Sequence, residues 1–191
     1  MWFALAVAAC GFLDDSENNP ELTLTVSGLV SGPAPPAEAL VVAVWDSSGE
    51  QANYWKWGEG QAAGGSFSIT FDGPPPDEAH FAADLDAAVG WLVMYESGTE
   101  VPDGAWSTPA GGFYGASRRN LLAWKAQKTT EPLDWFDPLP MGWSCLECIA
   151  GVDGGDTGGV TIYDTLQTSS CGLITLYLSD DPDAPDWCNA F

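Results

Sequence analysis

Five cysteines are the most reactive side chains of this 191-residue chain, and four of them lie in its last quarter. Cys145 and Cys148 form a C-x-x-C pair, and Cys171 and Cys188 follow at wider spacing. An even number of cysteines is typical of disulfides in an exported protein, so we expect two bridges, each joining one C-x-x-C cysteine to Cys171 or Cys188. A four-thiolate zinc site is one alternative, although the second pair lacks the spacing of a zinc ribbon. A thiol-redox role is the other, although this C-x-x-C lies in a glycine-bounded, loop-like context.

Cys10 differs from these four because it ends an uncharged run at residues 1–9, MWFALAVAA. Such a run is typical of a signal peptide, and VAAC at 7–10 resembles the bacterial lipobox, whose cysteine carries the lipid. No Lys or Arg precedes the run, so we expect an N-terminally truncated signal peptide and a start codon further upstream. Residues 10–21 are acidic and polar, and we expect them to form a lipid-attached tether. Simple secretion and a buried Cys10 thiol are the alternatives.

An acidic, glycine-rich segment provides a candidate calcium site. Residues 153–164, DGGDTGGVTIYD, resemble the twelve-residue loop of an EF-hand, with Asp153, Asp156 and Asp164 as candidate ligands. The third position is Gly155 and no amphipathic helix flanks the loop, so a glycine-rich entry to a hairpin is the alternative. The acidic segment 179–187, SDDPDAPDW, is a second candidate cation site or a proline-punctuated loop.

Two tryptophans form a candidate glycan-binding platform. In an extended NYWKWGEG segment, Trp55 and Trp57 point to one face, while Tyr54 and Lys56 point to the other. Two coplanar indoles stack well on sugar rings. The alternative is that the pair closes over one end of the core.

Residues for catalysis are sparse. His80 is the single histidine, and the chain has no G-x-S-x-G motif around a nucleophile. The 27 acidic residues offer many carboxylate pairs for glycoside hydrolysis, and that abundance singles out none of them. We therefore predict a non-enzymatic protein and keep a carboxylate-dependent hydrolase as the alternative.

The net charge of −22 restricts the partners. Such a field repels nucleic acid and anionic lipid head groups and favours cationic proteins. Four of the five basic residues lie at positions 118–128, where we expect ion pairs with neighbouring carboxylates rather than an anion site.

The elements that must position these residues are short strands. Apolar residues make up 46% of the chain, enough for one well-filled core. Alternating or β-branched runs between Gly, Pro and Asp turns predict seven strands, and residues 77–90 are the one helix-friendly segment. The seven runs are 22–30, 39–47, 66–73, 88–97, 119–127, 159–166 and 171–179.

The order LTLTVSGLVSG, ALVVAVWDS, GGSFSITFDGPPP and GWLVMYES, within residues 21–97, resembles transthyretin-like or carboxypeptidase-regulatory-like domains of bacterial surface lipoproteins. This resemblance implies a β-sandwich that acts as a binding, spacer or structural module.

Together these patterns predict an all-β fold, an antiparallel β-sandwich of about seven strands at 22–191, with a disulfide-stapled, loop-rich C-terminal part from about 126. We expect a non-enzymatic module, lipid-anchored in the bacterial cell envelope at the outer membrane or cell surface. Its partners are the membrane through the lipid, and a glycan or a cationic protein. A calcium-dependent or glycan-binding adhesion module is the alternative, and calcium is the one cofactor considered.

Overall fold

The computed structural model describes residues 23–46, 54–80, 87–102, 104–106, 111–126, 141–149, 159–165 and 170–185, with the backbone alone at 104–106, 148–149, 159–165 and 170–173. Within these ranges the chain forms eleven strands and one 3-10 turn at Asp77–Ala79. The strands are β1 Leu24–Ser31, β2 Glu38–Asp46, β3 Tyr54–Ala63, β4 Ser66–Phe71, β5 Ala87–Glu96, β6 Gly104–Trp106, β7 Phe113–Ala116, β8 Asn120–Lys125, β9 Gly142–Ile149, β10 Gly159–Thr165 and β11 Ser170–Leu178.

Seven of these strands close into a barrel in the order β5-β2-β3-β4-β1-β11-β7, and β7 pairs again with β5. The closing strand β7 is bonded on both edges, because Ala116 lies opposite Val93 of β5 and opposite Tyr177 of β11. The β-sandwich prediction is therefore wrong, although the all-β class is confirmed. A β-sandwich keeps two sheets with free edges. Here β7, the last strand in the barrel order, pairs with β5, the first, and the sheet closes on itself.

Glycines permit the closure on both sides of β11. β1 runs parallel to β11, and a Cβ on Gly28 of β1 would collide with the carbonyl oxygen of Ile174. On the other side, a Cβ on Gly115 of β7 would collide with the carbonyl oxygen of Tyr177. Both seams therefore depend on a residue that has no side chain.

The sheet branches at β5. The second half of β5 pairs with β7 in the barrel, and its first half pairs with β8, from which β9 and β10 extend the sheet outward. Ser117 lies at the branch: its N–H donates to the Leu92 carbonyl (2.9 Å), and its hydroxyl accepts from the Leu92 N–H (3.0 Å) and donates to the Asn120 carbonyl (2.9 Å). One serine thus satisfies both backbone groups of Leu92 where the partner strand changes.

Apolar side chains fill the barrel and the space under its extension. On β4, within the predicted run 66–73, Phe67, Ile69 and Phe71 are buried while the residues between them are exposed, which is the alternation of a strand with one buried face. The largest side chains that are fully buried in this core are Leu24, Trp45, Ile69, Phe71, Leu92, Met94, Leu122, Ile174 and Leu176.

A second apolar cluster covers part of the outside of the barrel. We call it the outer cluster; it comprises Val42, Val44, Val93, Tyr95, Val101 and Ala116. The buried Lys56 ammonium donates to the Val101 carbonyl (3.2 Å) and pairs with Glu59 (2.9 Å), which holds the segment after β5 against β3. Because β2 is buried on both faces, its sequence is a nearly continuous apolar run.

The C-terminal part differs from the predicted disulfide-stapled loop. Residues 142–149 form β9 and residues 170–178 form β11, a strand of the barrel, so pairing between strands holds this region in place. Cys145 is fully buried and disulfide-bonded. Its partner, the side chains of Cys148 and Cys171, and all of Cys188 lie outside what the structure describes. The described side chains therefore do not support the predicted pair of bridges.

Candidate functional site

Trp55 and Trp57 lie on the inner side of β3 and are half-buried against the core. Tyr54 and Lys56 point the other way, where Tyr54 makes an edge contact with Trp91 (ring centroids 5.3 Å apart) next to the outer cluster. The predicted alternation of these four side chains is confirmed. The two indoles face the inside of the fold, at the end of the barrel where β3 begins.

Trp57 of β3 belongs to a group of five aromatic rings, and the other four come from β2, β4, β8 and β9. Trp57 stacks on Phe71 (5.2 Å, 29°) and on Trp143 (6.4 Å, 8°). Trp143 also contacts Trp45 (5.8 Å) and Trp124 (5.2 Å). The indoles of β8 and β9, the strands that extend the sheet, therefore pack against the end of the barrel. We call Trp45, Trp57, Phe71, Trp124 and Trp143 the aromatic cluster.

Backbone features make room for the aromatic cluster. Gly58 has a φ of +98°, and a Cβ there would collide with the Phe71 ring. The Trp45 indole N–H donates to the Trp57 carbonyl at 2.8 Å, which fixes the orientation of the Trp45 ring. These contacts set the rings against one another, and both stacking partners of Trp57 are side chains of this chain. The packing alternative therefore accounts for Trp57 better than a sugar platform does.

The candidate calcium ligands fall mostly outside the described residues. Asp153 and Asp156 lie there, as does the side chain of Asp164, whose backbone belongs to β10. Residues 159–165 continue as a strand paired with β9, which agrees with the hairpin alternative. Among the described residues, no three His, Cys, Asp or Glu side chains lie close enough together to hold a metal ion. Cys10, with the predicted signal peptide and tether, also lies outside these residues.

The second acidic segment builds a turn around one buried carboxylate. Asp181 accepts a hydrogen bond from the Ser31 hydroxyl (2.8 Å) and another from the Asp183 N–H (3.0 Å). Asp180 and Asp183 are exposed beside it. The carboxylate of Asp181 is thus used to join the end of β11 to the end of β1, a role that the cluster of acids in the sequence did not reveal.

His80, Arg118 and Lys125 take structural positions. His80 follows the 3-10 turn, its N–H donates to the Asp77 carbonyl (3.1 Å), and its Nε2 is buried with no hydrogen-bond partner among the described residues. Arg118 donates to the Pro185 carbonyl (3.2 Å), and Lys125 is 2% exposed at the end of β8.

Comparison with family models, with curated proteins and with solved structures finds no match for this chain. None of the helical structure in the described residues has the length and apolar character that a membrane span requires.

Proposed function

We propose that this protein is a non-enzymatic binding or structural module, held outside the cytoplasm by a lipid on Cys10. The observation that carries the proposal is the filled interior of the barrel. Side chains from five of its strands meet there at zero or near-zero exposure: Leu24, Trp45, Ile69, Met94 and Ile174. A small barrel filled in this way is a rigid body that offers its outer surface and loops, rather than a central cavity, to a ligand.

The charge on that outer surface favours a cationic protein as the partner. Acidic side chains are exposed on strands and on several loops, so the negative field extends over the surface rather than into the interior. Those described as exposed are Glu38, Glu59, Asp72, Asp77, Glu78, Glu96, Glu100, Glu147, Asp180 and Asp183.

The lipid anchor rests on the lipobox-like VAAC sequence and on the acidic tether that follows it. A tether of this composition would hold the folded body away from the bilayer. The placement in the bacterial envelope, at the outer membrane or cell surface, belongs to the same proposal.

Palmitate labelling in a bacterial host tests this proposal. We expect the wild-type chain to take up the label and to sediment with membranes, and Cys10→Ala to lose both properties. Cys171→Ala is the matched control, since it removes a cysteine outside the lipobox and should keep the label. Label retained by Cys10→Ala would overturn the anchor. Substrate turnover abolished by changing one carboxylate would overturn the non-enzymatic role.

A further inference from the structure

Four neighbouring strands of the barrel contain no charged residue. They are adjacent in the order β4-β1-β11-β7, with the sequences SFSITF, LTVSGLVS, SCGLITLYL and FYGA. The chain as a whole carries 27 acidic and 5 basic residues. Charge is therefore segregated around the barrel, and we call the outer face of these four strands the uncharged wall.

Hydroxyl groups dominate the described side chains that point outward from this wall. On β4, Ser66, Ser68 and Thr70 are exposed, and the Thr70 hydroxyl lies 3.3 Å from that of Thr25 on β1. Ser27 is exposed in the next row, opposite Ser68. The neighbouring arc of the barrel differs, because the outer cluster covers the outer faces of β2 and β5 and reaches Ala116 of β7. Among the described residues, none on β4, β1 or β11 belongs to that cluster.

Apolar side chains project from the same wall. Leu29 is 65% exposed at its centre, between Ser66 of β4 and Thr175 of β11. Phe113 of β7 is 38% exposed, and Tyr177 of β11 is partly exposed. Two of the three large apolar residues that the described structure leaves exposed therefore lie on this wall. An exposed apolar centre with an uncharged polar surround is the usual anatomy of a protein interface.

We propose that the uncharged wall binds a second copy of this chain, giving a two-fold symmetric dimer. Two molecules of net charge −22 repel each other, and the repulsion is weakest where they meet through surfaces without carboxylates. A two-fold interface must be complementary to itself. Ser and Thr hydroxyls meet that requirement because each both donates and accepts a hydrogen bond, whereas a face of carboxylates only accepts. Leu29 of each copy would pack at the centre.

Sedimentation equilibrium of the full chain, with Cys10→Ala in every sample so that no lipid contributes, tests the dimer. We expect a concentration-dependent dimer that strengthens as added salt screens the negative charges. Leu29→Asp and Ser68→Glu place a carboxylate on the wall, and each should weaken dimerisation by about tenfold or more.

Met141→Asp is the matched control, because Met141 is 41% exposed but lies just before β9, away from the wall. It should leave the dimer unchanged. Thermal melting measured at a concentration where every sample is monomeric should give similar midpoints for all variants, so that a loss of dimer is not a loss of fold. A wild-type chain that stays monomeric, or a dimer that tolerates both Leu29→Asp and Ser68→Glu, would overturn the proposal, as would equal weakening by Met141→Asp.

Discussion

Gly90 illustrates how single residues of this chain make room for its aromatic rings. It is buried in β5 opposite Trp45, and a Cβ at this position would approach the Trp45 ring to 2.7 Å and the Val44 carbonyl oxygen to 2.7 Å. Phe71 and Trp143 also contact the Trp45 ring, with ring centroids 6.0 Å and 5.8 Å away, and limit how far it can move. The absence of a side chain at position 90 is therefore part of the aromatic packing.

Gly90→Ala should consequently destabilise the fold by about 1–3 kcal/mol, because the added methyl group overpacks the core. Urea unfolding followed by tryptophan fluorescence measures the change. Gly73→Ala is the control: a Cβ there has no atom within 4 Å, so this variant should be neutral or stabilised by ~0.4–1 kcal/mol. Equal stability of the two variants would show that the ring of Trp45 has space to move.

At the residue scale, the sequence predicted which side of a strand is buried better than what the buried residues do. The alternation in β4 and the opposite orientations of Trp57 and Lys56 followed directly from the period of two. The stacking of Trp57 on Trp143 did not, because the two residues are far apart in sequence and meet only when β9 is in place. The period of two shows which face of a strand is buried, but it does not show which distant residues pack against that face.

At the scale of elements, Ser117 determines where the partner of β5 changes from β7 to β8. Its side chain is 1% exposed, and its hydroxyl replaces the strand partner that the Leu92 N–H would otherwise have. Ser117→Ala should cost about 1–3 kcal/mol, since it leaves this buried N–H unsatisfied. Amide hydrogen exchange should show faster exchange centred on Leu92 and on β8. Ser68→Ala removes an exposed hydroxyl from β4 and should change stability by no more than about 0.5 kcal/mol. Unchanged protection of Leu92 in Ser117→Ala would contradict this role.

The strands outside the seven predicted runs are β3, β6, β7 and β9, and β6, β7 and β9 have identifiable reasons. In β9, Gly142, Trp143, Ser144, Cys145 and Leu146 are all buried, so no polar alternation marks the strand, and its cysteines drew attention to disulfide or metal chemistry instead. β7 has four residues and β6 has three, which is too short for a periodic signal. In the helix-friendly segment 77–90, the described residues form only the turn at Asp77–Ala79 before β5 begins at Ala87.

At the scale of the whole molecule, the runs of strand residues were predictable and their closure was not. Each of the seven predicted runs overlaps an observed strand: β1, β2, β4, β5, β8, β10 or β11. The pairing of β1 with β11 joins the two ends of the described chain in parallel, and no local pattern encodes a contact over that separation. To predict a barrel, one would have needed to know that the four-residue strand β7 pairs with both β5 and β11.

The distribution of charge over the strands is also a property of the whole molecule. The net charge of −22 was readable from composition, but its segregation from four adjacent strands became visible only once β4, β1, β11 and β7 were placed side by side. The proposed dimer depends on that segregation of charge, whereas the proposed module depends on the filled interior of the barrel. A filled barrel gives the outer surface its rigidity, and barrel closure gives the uncharged wall its continuity.

The closure of the barrel is tested most directly by nuclear Overhauser contacts from the backbone protons of Ala116 in isotope-labelled protein. The structure predicts two sets of cross-strand contacts in one molecule, to Val93 of β5 and to Tyr177 of β11. Contacts to Val93 without any to Tyr177 would describe an open sheet, and that result would contradict the barrel.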